Sequence, residues 1–186
     1  APIGRQDQYA AAFGGANSIS FGPDGVLVDP VGLSDQTIDA IRDEFTLVYT
    51  GLTRSANEVL AEASVDPSDK LARLRAIRKQ ADEGRTMLEL GELTNLGVLL
   101  SETWLNKRGL SPSVSNVEID ALYDRVMELG ASGAKLLGAG AGGFLLVHGD
   151  ASLRMALARE LGPVNGLLPL GIDFDGSTII HGTGHR

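Results

Sequence analysis

The sequence predicts an α+β fold: a mostly antiparallel sheet with a block of helices packed on one face. Three observations predict it. Asp-Gly pairs at 24–25 and 175–176 sit between strand-like runs, the mark of hairpins. The stretch from Ser55 to Leu129 carries helix starts and helix-spaced apolar residues. A glycine-rich segment, Gly138–Gly143, then feeds the apolar run Phe144-Leu145-Leu146-Val147, which reads as a buried strand. Strands, helices, strand, helix, strands is the order of a segregated fold, not of repeated βαβ units.

Each element has a local cause. Residues 5–13 favour a short helix through Ala10, Ala11 and Ala12, with Gly14-Gly15 ending it. Asn17–Phe21 and Val26–Val28 alternate polar and apolar around Gly22-Pro23-Asp24-Gly25, a first hairpin. Phe45–Thr50 is β-branched and aromatic and stops at Gly51. Ser55 and Glu58 make a capping box, and Asp66-Pro67 is a second helix start, with Leu71, Leu74, Ile77 and Ala81 on one face. Leu93, Leu96, Leu100 and Trp104 form a further face that ends at Lys107-Arg108-Gly109, cations and then glycine. Ser115 and Glu118 suggest another capping box, before Ile119, Leu122, Val126 and Leu129. A helix from about Ala151 to Leu161 follows, and Asp173–Ile180 reads as a second hairpin.

Composition narrows the function classes. The 186 residues hold no Cys, which excludes a disulfide scaffold and any thiolate-ligated metal. A net charge of −8 without a basic run argues against nucleic acid as partner. The apolar stretches fall well short of the ~20 residues that span a bilayer, so no membrane partner is expected. The first residues, Ala1-Pro2-Ile3, include no initiating Met, and the polar 4–8 segment is no export core. A cytoplasmic location and a piece of a longer protein are the resulting expectations.

Two segments carry chemistry. Without side chains, Gly138-Ala139-Gly140-Ala141-Gly142-Gly143 can bring backbone N–H groups close to an anion. It is neither a P-loop, lacking Gly-Lys-Ser/Thr, nor a dinucleotide fingerprint, because it leads from a helix into a strand. A tight connection and a ligand-facing loop remain equally open on these residues alone. Asp7, at the start of the first helix, is either an acid favoured by the helix dipole or a carboxylate that takes a substrate proton. His148, His181 and His185 share no helical spacing, so no metal site is expected, and no nucleophile elbow marks a Ser-His-Asp set.

Gly4-Arg5-Gln6-Asp7-Gln8-Tyr9-Ala10-Ala11-Ala12-Phe13-Gly14-Gly15 resembles the aspartate segment of GHMP kinases, the galactokinase, homoserine kinase and mevalonate kinase family. Lys135-Leu136-Leu137-Gly138-Ala139-Gly140-Ala141-Gly142-Gly143-Phe144 resembles their third motif, in the same order and at similar spacing. Tyr49-Thr50-Gly51, Arg54-Ser55-Ala56, Ser115–Asp120 and Phe174-Asp175-Gly176-Ser177 are similar to the branch acting on D-glycero-D-manno-heptose 7-phosphate. Ala141 stands where the family more often has Gly, and Phe144 where several members have Cys.

The resemblance implies a ferredoxin-like GHMP C-terminal domain over 34–186, preceded at 1–33 by the end of an N-terminal domain. It implies transfer of the γ-phosphoryl of ATP to the anomeric hydroxyl of the heptose 7-phosphate. Asp7 is the implied catalytic residue, and Arg5, Gln8 and Arg54 the implied sugar-phosphate ligands. Gly138, Ala139, Gly140, Gly142 and Gly143 are the implied phosphate loop. The family's Gly-Ser-Ser loop for ATP has no match in these residues, so the implied chain is the C-terminal part of such a kinase, inactive alone. Its Mg²⁺ ligands are expected mainly from the preceding part, and self-association from the apolar surface left open. Kinases for fucose, galactose or mevalonate, and a non-catalytic sugar-phosphate-binding or dimerisation domain, are the alternatives.

Overall fold

The computed structural model describes residues 4–53, 66–162 and 164–178. The Ser55–Glu58 capping box, Arg54, His181, His185 and 179–180 lie outside them. The elements are helix α1 (Gln6–Phe13), strands β1 (Asn17–Gly22) and β2 (Gly25–Pro30), helix α2 (Asp35–Glu44) and strand β3 (Phe45–Tyr49). Helices α3 (Pro67–Leu90), α4 (Leu93–Arg108) and α5 (Val117–Glu128) follow, then strands β4 (Gly133–Leu136) and β5 (Phe144–His148). Helix α6 (Ala151–Glu160) and strand β6 (Leu167–Pro169) complete the order.

β1 and β2 pair antiparallel with Gly22 opposite Gly25, so Pro23 and Asp24 are the turn residues. The larger sheet runs β4-β5-β3-β6, and every pairing in it is antiparallel. The α+β class with an antiparallel sheet is therefore what the chain adopts. The expected boundary at 33/34 falls between β2 and α2.

Period-two alternation sends side chains to both faces of the larger sheet. Val48, Ala134, Leu136, Leu145 and Val147 join Trp104, Ile119, Val126, Leu153 and Leu157 in the main core. Phe45 and Leu146 pack on the other side with Ile41 of α2 and Leu93, Leu96 and Leu100 of α4. Helices thus cover both faces, where the sequence suggested one; β3 and β5 carry apolar residues at consecutive positions and need cover twice. The approach of α4 to the edge strand β4 depends on two glycines. A Cβ on Gly133 would lie 1.7 Å from Gly97 O, and one on Gly97 would lie 2.6 Å from Ser132 Oγ.

Several local expectations need correction. α2 is an element the patterning above does not predict, although Ser34 caps it by accepting from Thr37 N at 3.1 Å. The cap of α5 is Asn116, accepting from Ile119 N at 2.9 Å, because Ser115 instead donates to Asp120 Oδ1 at 2.6 Å. Gly109 ends α4 at φ −74°, not in the left-handed region; a Cβ there would meet the Arg73 guanidinium. Leu71 and Leu74 are 47% and 45% exposed, so the expected apolar face of α3 is largely uncovered. Residues 171–178 form no strand, and the last strand among the described residues is β6, Leu167–Pro169. The 173–177 segment instead binds the end of α1, as described next.

Candidate active site

The glycine-rich segment joins two antiparallel strands, β4 and β5, and does not lead from a helix. Gly133-Ala134-Lys135-Leu136 is too short and small to read as a strand alone; its pairing with β5 makes it one. The backbone is left-handed or otherwise at positive φ at Gly138 (68°), Gly140 (125°), Ala141 (62°) and Gly143 (99°). Ala141 tolerates this because its methyl is buried in the core, at 2% exposure.

Four residues, Val114, Leu52, Thr50 and Lys107, hold the loop to the body. Ala141 N donates to Val114 O at 2.9 Å, and Gly143 N donates to Leu52 O at 3.0 Å. Thr50 N and Oγ1 both donate to Gly143 O, at 2.9 and 3.0 Å. At the front of the loop, Lys107 Nζ donates to Leu136 O at 3.4 Å and to Gly138 O. Gly140 and Gly142 let the backbone approach so closely: a Cβ would lie 2.7 Å from Val114 O and from Leu52 O respectively. The N–H groups of Gly138, Ala139, Gly140 and Gly142 have no hydrogen-bond partner among the described residues. Unpaired N–H groups gathered on a glycine loop suit an anion such as a phosphate chain.

Two lysines flank this loop. Lys107 sits with Nζ 5.9 Å from the centroid of the fully buried Trp104 ring. Burial, and next the nearby charge of Lys135, push its amine down to about 8. Burial likewise lowers Lys135. Lys135 reaches a cleft of ≈ 590 Å³ between the β1–β2 hairpin and helices α3 and α4, which Asn17, Ser20, Arg78 and Thr103 also line. In the sequence, Lys107 reads only as a helix stop signal. Its grip on Gly138 spans 31 residues of sequence and leaves no local mark.

The aspartate helix is held differently. No residue of α1 is buried, and Asp7, Arg5 and Gln8 are exposed. Tyr9 packs edge-on to Phe21 with centroids 5.7 Å apart, and the Arg5 guanidinium lies 5.5 Å from the same ring. Oriented to satisfy its amide, Gln8 donates to Arg5 O at 2.9 Å and Gly4 O at 3.2 Å. The 173–177 segment clasps the helix end: Gly15 N donates to Asp173 O at 2.6 Å, and Ser177 Oγ to Ala11 O at 3.0 Å. Gly14 and Gly176, both at positive φ, meet so closely that a Cβ on either would lie within 2.6 Å of the other segment's backbone. Among the described residues no hydrogen bond or ion pair joins Arg5, Asp7 or Gln8 to the glycine loop.

A buried polar chain also escaped the sequence. His148 Nδ1 meets Ser132 Oγ, and its Nε2 lies 3.0 Å from Glu44 Oε2. The imidazole is 5% exposed and Ser132 Oγ lies against Gly97 of α4, so the chain ties α2 and the turn before β4 to the end of β5. Among the described residues no three His, Asp or Glu side chains gather as a metal site.

Residues 72–160 match the family model described as "GHMP kinases C terminal". Over those residues the chain is similar to the GHMP kinase C-terminal domain. It is 30% identical over 161 residues to D-glycero-alpha-D-manno-heptose 7-phosphate kinase of Campylobacter jejuni, covering 85% of this chain and 48% of that protein. It is 30% identical over 166 residues to the bifunctional fucokinase/GDP-fucose pyrophosphorylase of Arabidopsis thaliana, covering 85% of this chain and 16% of that one. A solved D-glycero-D-manno-heptose 1-phosphate kinase from Bacteroides thetaiotaomicron superposes with a TM-score of 0.64 at 23% identity, over 91% of this chain and 46% of that one, which bears on the fold alone. The chain spans about half the length of the heptose 7-phosphate kinase it matches, 48% of it. Among the described residues no helix is long and apolar enough to cross a membrane.

Proposed function

We propose that the chain is the C-terminal part of a cytoplasmic, ATP-dependent kinase that phosphorylates the anomeric hydroxyl of D-glycero-D-manno-heptose 7-phosphate. The observation that carries the reading is the glycine loop with four N–H groups free of partners among the described residues, in a chain 30% identical to a heptose 7-phosphate kinase. The hydroxyl oxygen attacks Pγ, the bond from Pγ to the bridging oxygen breaks, and ADP leaves. Asp7 takes the hydroxyl proton. The N–H groups of Gly138, Ala139, Gly140 and Gly142 hold phosphate oxygens, and Gly143 fixes the loop's exit. Arg5, which makes no ion pair among the described residues, Gln8 and Arg54 hold the sugar phosphate, an anion that guanidinium grips bidentately. ATP with Mg²⁺ supplies the phosphoryl group and neutralises its charge; its metal ligands are proposed to come mainly from residues beyond these.

A second reading is a fucose kinase, favoured by the 30% identity to the plant fucokinase. Substrate panels separate the two. The product of the complete gene is given ATP with heptose 7-phosphate, fucose, galactose or mevalonate, and products are read by ³¹P NMR. The expected result is a new anomeric phosphate on the heptose alone; faster turnover of fucose overturns the reading. The 186-residue chain by itself is expected to show no turnover, and measurable turnover refutes its dependence on a further part.

A further inference from the structure

Lys107 has a place that its role at the end of α4 does not require. A cation in the last turn needs only to face solvent near the final carbonyls to favour the helix dipole. Lys107 instead holds Nζ 5.9 Å from the centroid of the Trp104 ring and donates it to the carbonyls of Leu136 and Gly138, across from its own helix. Those carbonyls stand where β4 gives way to the loop. Beyond them come Gly138, Ala139 and Gly140, whose N–H groups have no partner among the described residues. The rear of the loop has its own attachments at Val114, Leu52 and Thr50. The front has Lys107 alone among the described side chains.

We propose that Lys107 is a positioning residue for the glycine loop, holding the Leu136 and Gly138 carbonyls so that the Gly138, Ala139 and Gly140 N–H groups present together to a polyphosphate. The polyphosphate part rests on the phosphate-loop reading above; the positioning part does not. Two nearby cations would also raise the local potential for such an anion. The charged neighbours of Lys107 are Lys135 on β4 and Arg108 on its own helix, the latter engaged by Asp120 at 3.0 Å.

The test compares the wild-type chain with Lys107→Met and Lys107→Arg. Amide hydrogen exchange is followed at the bonded loop amides of Leu137, Ala141 and Gly143, with α4 and β5 as internal controls, and tripolyphosphate is titrated into each chain. Lys107→Met is expected to speed exchange in the loop by about tenfold or more, and to weaken tripolyphosphate binding by a similar factor, from loss of a charged hydrogen bond. The controls stay put, and Lys107→Arg restores both readouts. Unchanged loop exchange in Lys107→Met overturns the proposal. Absent tripolyphosphate binding to wild type, with the loop still loosened by Lys107→Met, upholds positioning and overturns the phosphate reading. Unchanged exchange with weakened binding overturns positioning and leaves only a direct charge effect.

The wild-type chain offers a check that does not depend on how Lys107→Met folds. Deprotonation of Lys107 removes its charge, so the loop amide shifts should titrate with a midpoint near 8. A loop transition of the same midpoint that persists in Lys107→Arg belongs to another group and counts against the proposal.

Discussion

The glycine loop and the aspartate helix belong to the same proposed site, yet they are held by opposite means. The loop is fastened by backbone and side-chain bonds to the segment after β3, the 3₁₀ turn Pro112–Val114 and α4, and Ala141 is driven into the core. α1 buries nothing and rests on one aromatic contact with the hairpin and on the clasp of 173–177. A loop that must offer main-chain donors in fixed directions needs rigid support, because backbone cannot be re-aimed by a rotamer change. A side-chain carboxylate can be adjusted by its rotamer. The difference also shows which half of the site this chain supports by itself.

The comparison breaks or sharpens at four places. The largest effect is expected on activity with no effect on the fold. In the complete enzyme, Asp7→Asn should lower kcat by about 10²–10⁴-fold, while unfolding shifts by no more than about 0.5 kcal/mol, as for an exposed residue. Steady-state kinetics beside denaturant melts read both; full activity in the variant would remove Asp7 from the chemistry. The loop should behave the other way. Gly140→Val puts a branched side chain at φ 125° with its Cβ 2.7 Å from Val114 O. It should cost about 2–4 kcal/mol in urea unfolding, and a cost below 1 would mean the loop is looser than described.

The buried lysine gives a pH signature. Its folded value of about 8 lies below the ordinary 10.5, so the unfolded chain binds more protons between those values. Stability should therefore rise as pH goes from 8 to 10.5, by on the order of 2 kcal/mol after discounting for partial exposure. Below pH 8 Lys107 adds no slope. Melts of the wild type against Lys107→Met resolve it: the rise should shrink in the variant, with Lys135 supplying what remains. The smallest effect belongs to the clasp. A Cβ on Gly176 would lie 2.6 Å from Ala12 O, so Gly176→Ala should lower the opening free energy of α1 by about 1–2 kcal/mol. Faster exchange confined to 6–14 is the expected readout, and an unaffected helix would show that the tail does not hold it.

Much of the fold was legible because its causes are local. The first hairpin needs only alternation around Pro23-Asp24, and α3 only Asp66 and Pro67, whose cap bond to Ser68 N is 2.8 Å. The glycine loop and Asp7 were legible as motifs. What escaped depends on distant partners. β4 is a strand only because β5 pairs with it. The 173–177 segment has strand-like residues but spends its donors and acceptors on α1. Lys107 reads as a helix terminator until Gly138 is seen beside it.

By itself the sequence determined the α+β class, the order of most elements and the two segments that carry chemistry, because turn residues, caps and apolar period act within a few positions. Only the tertiary structure decided which faces are covered, which N–H groups remain free and which cation steadies the loop. Those outcomes depend on close approaches, such as Gly97 to Gly133 and Lys107 to Gly138, between residues that share no local pattern.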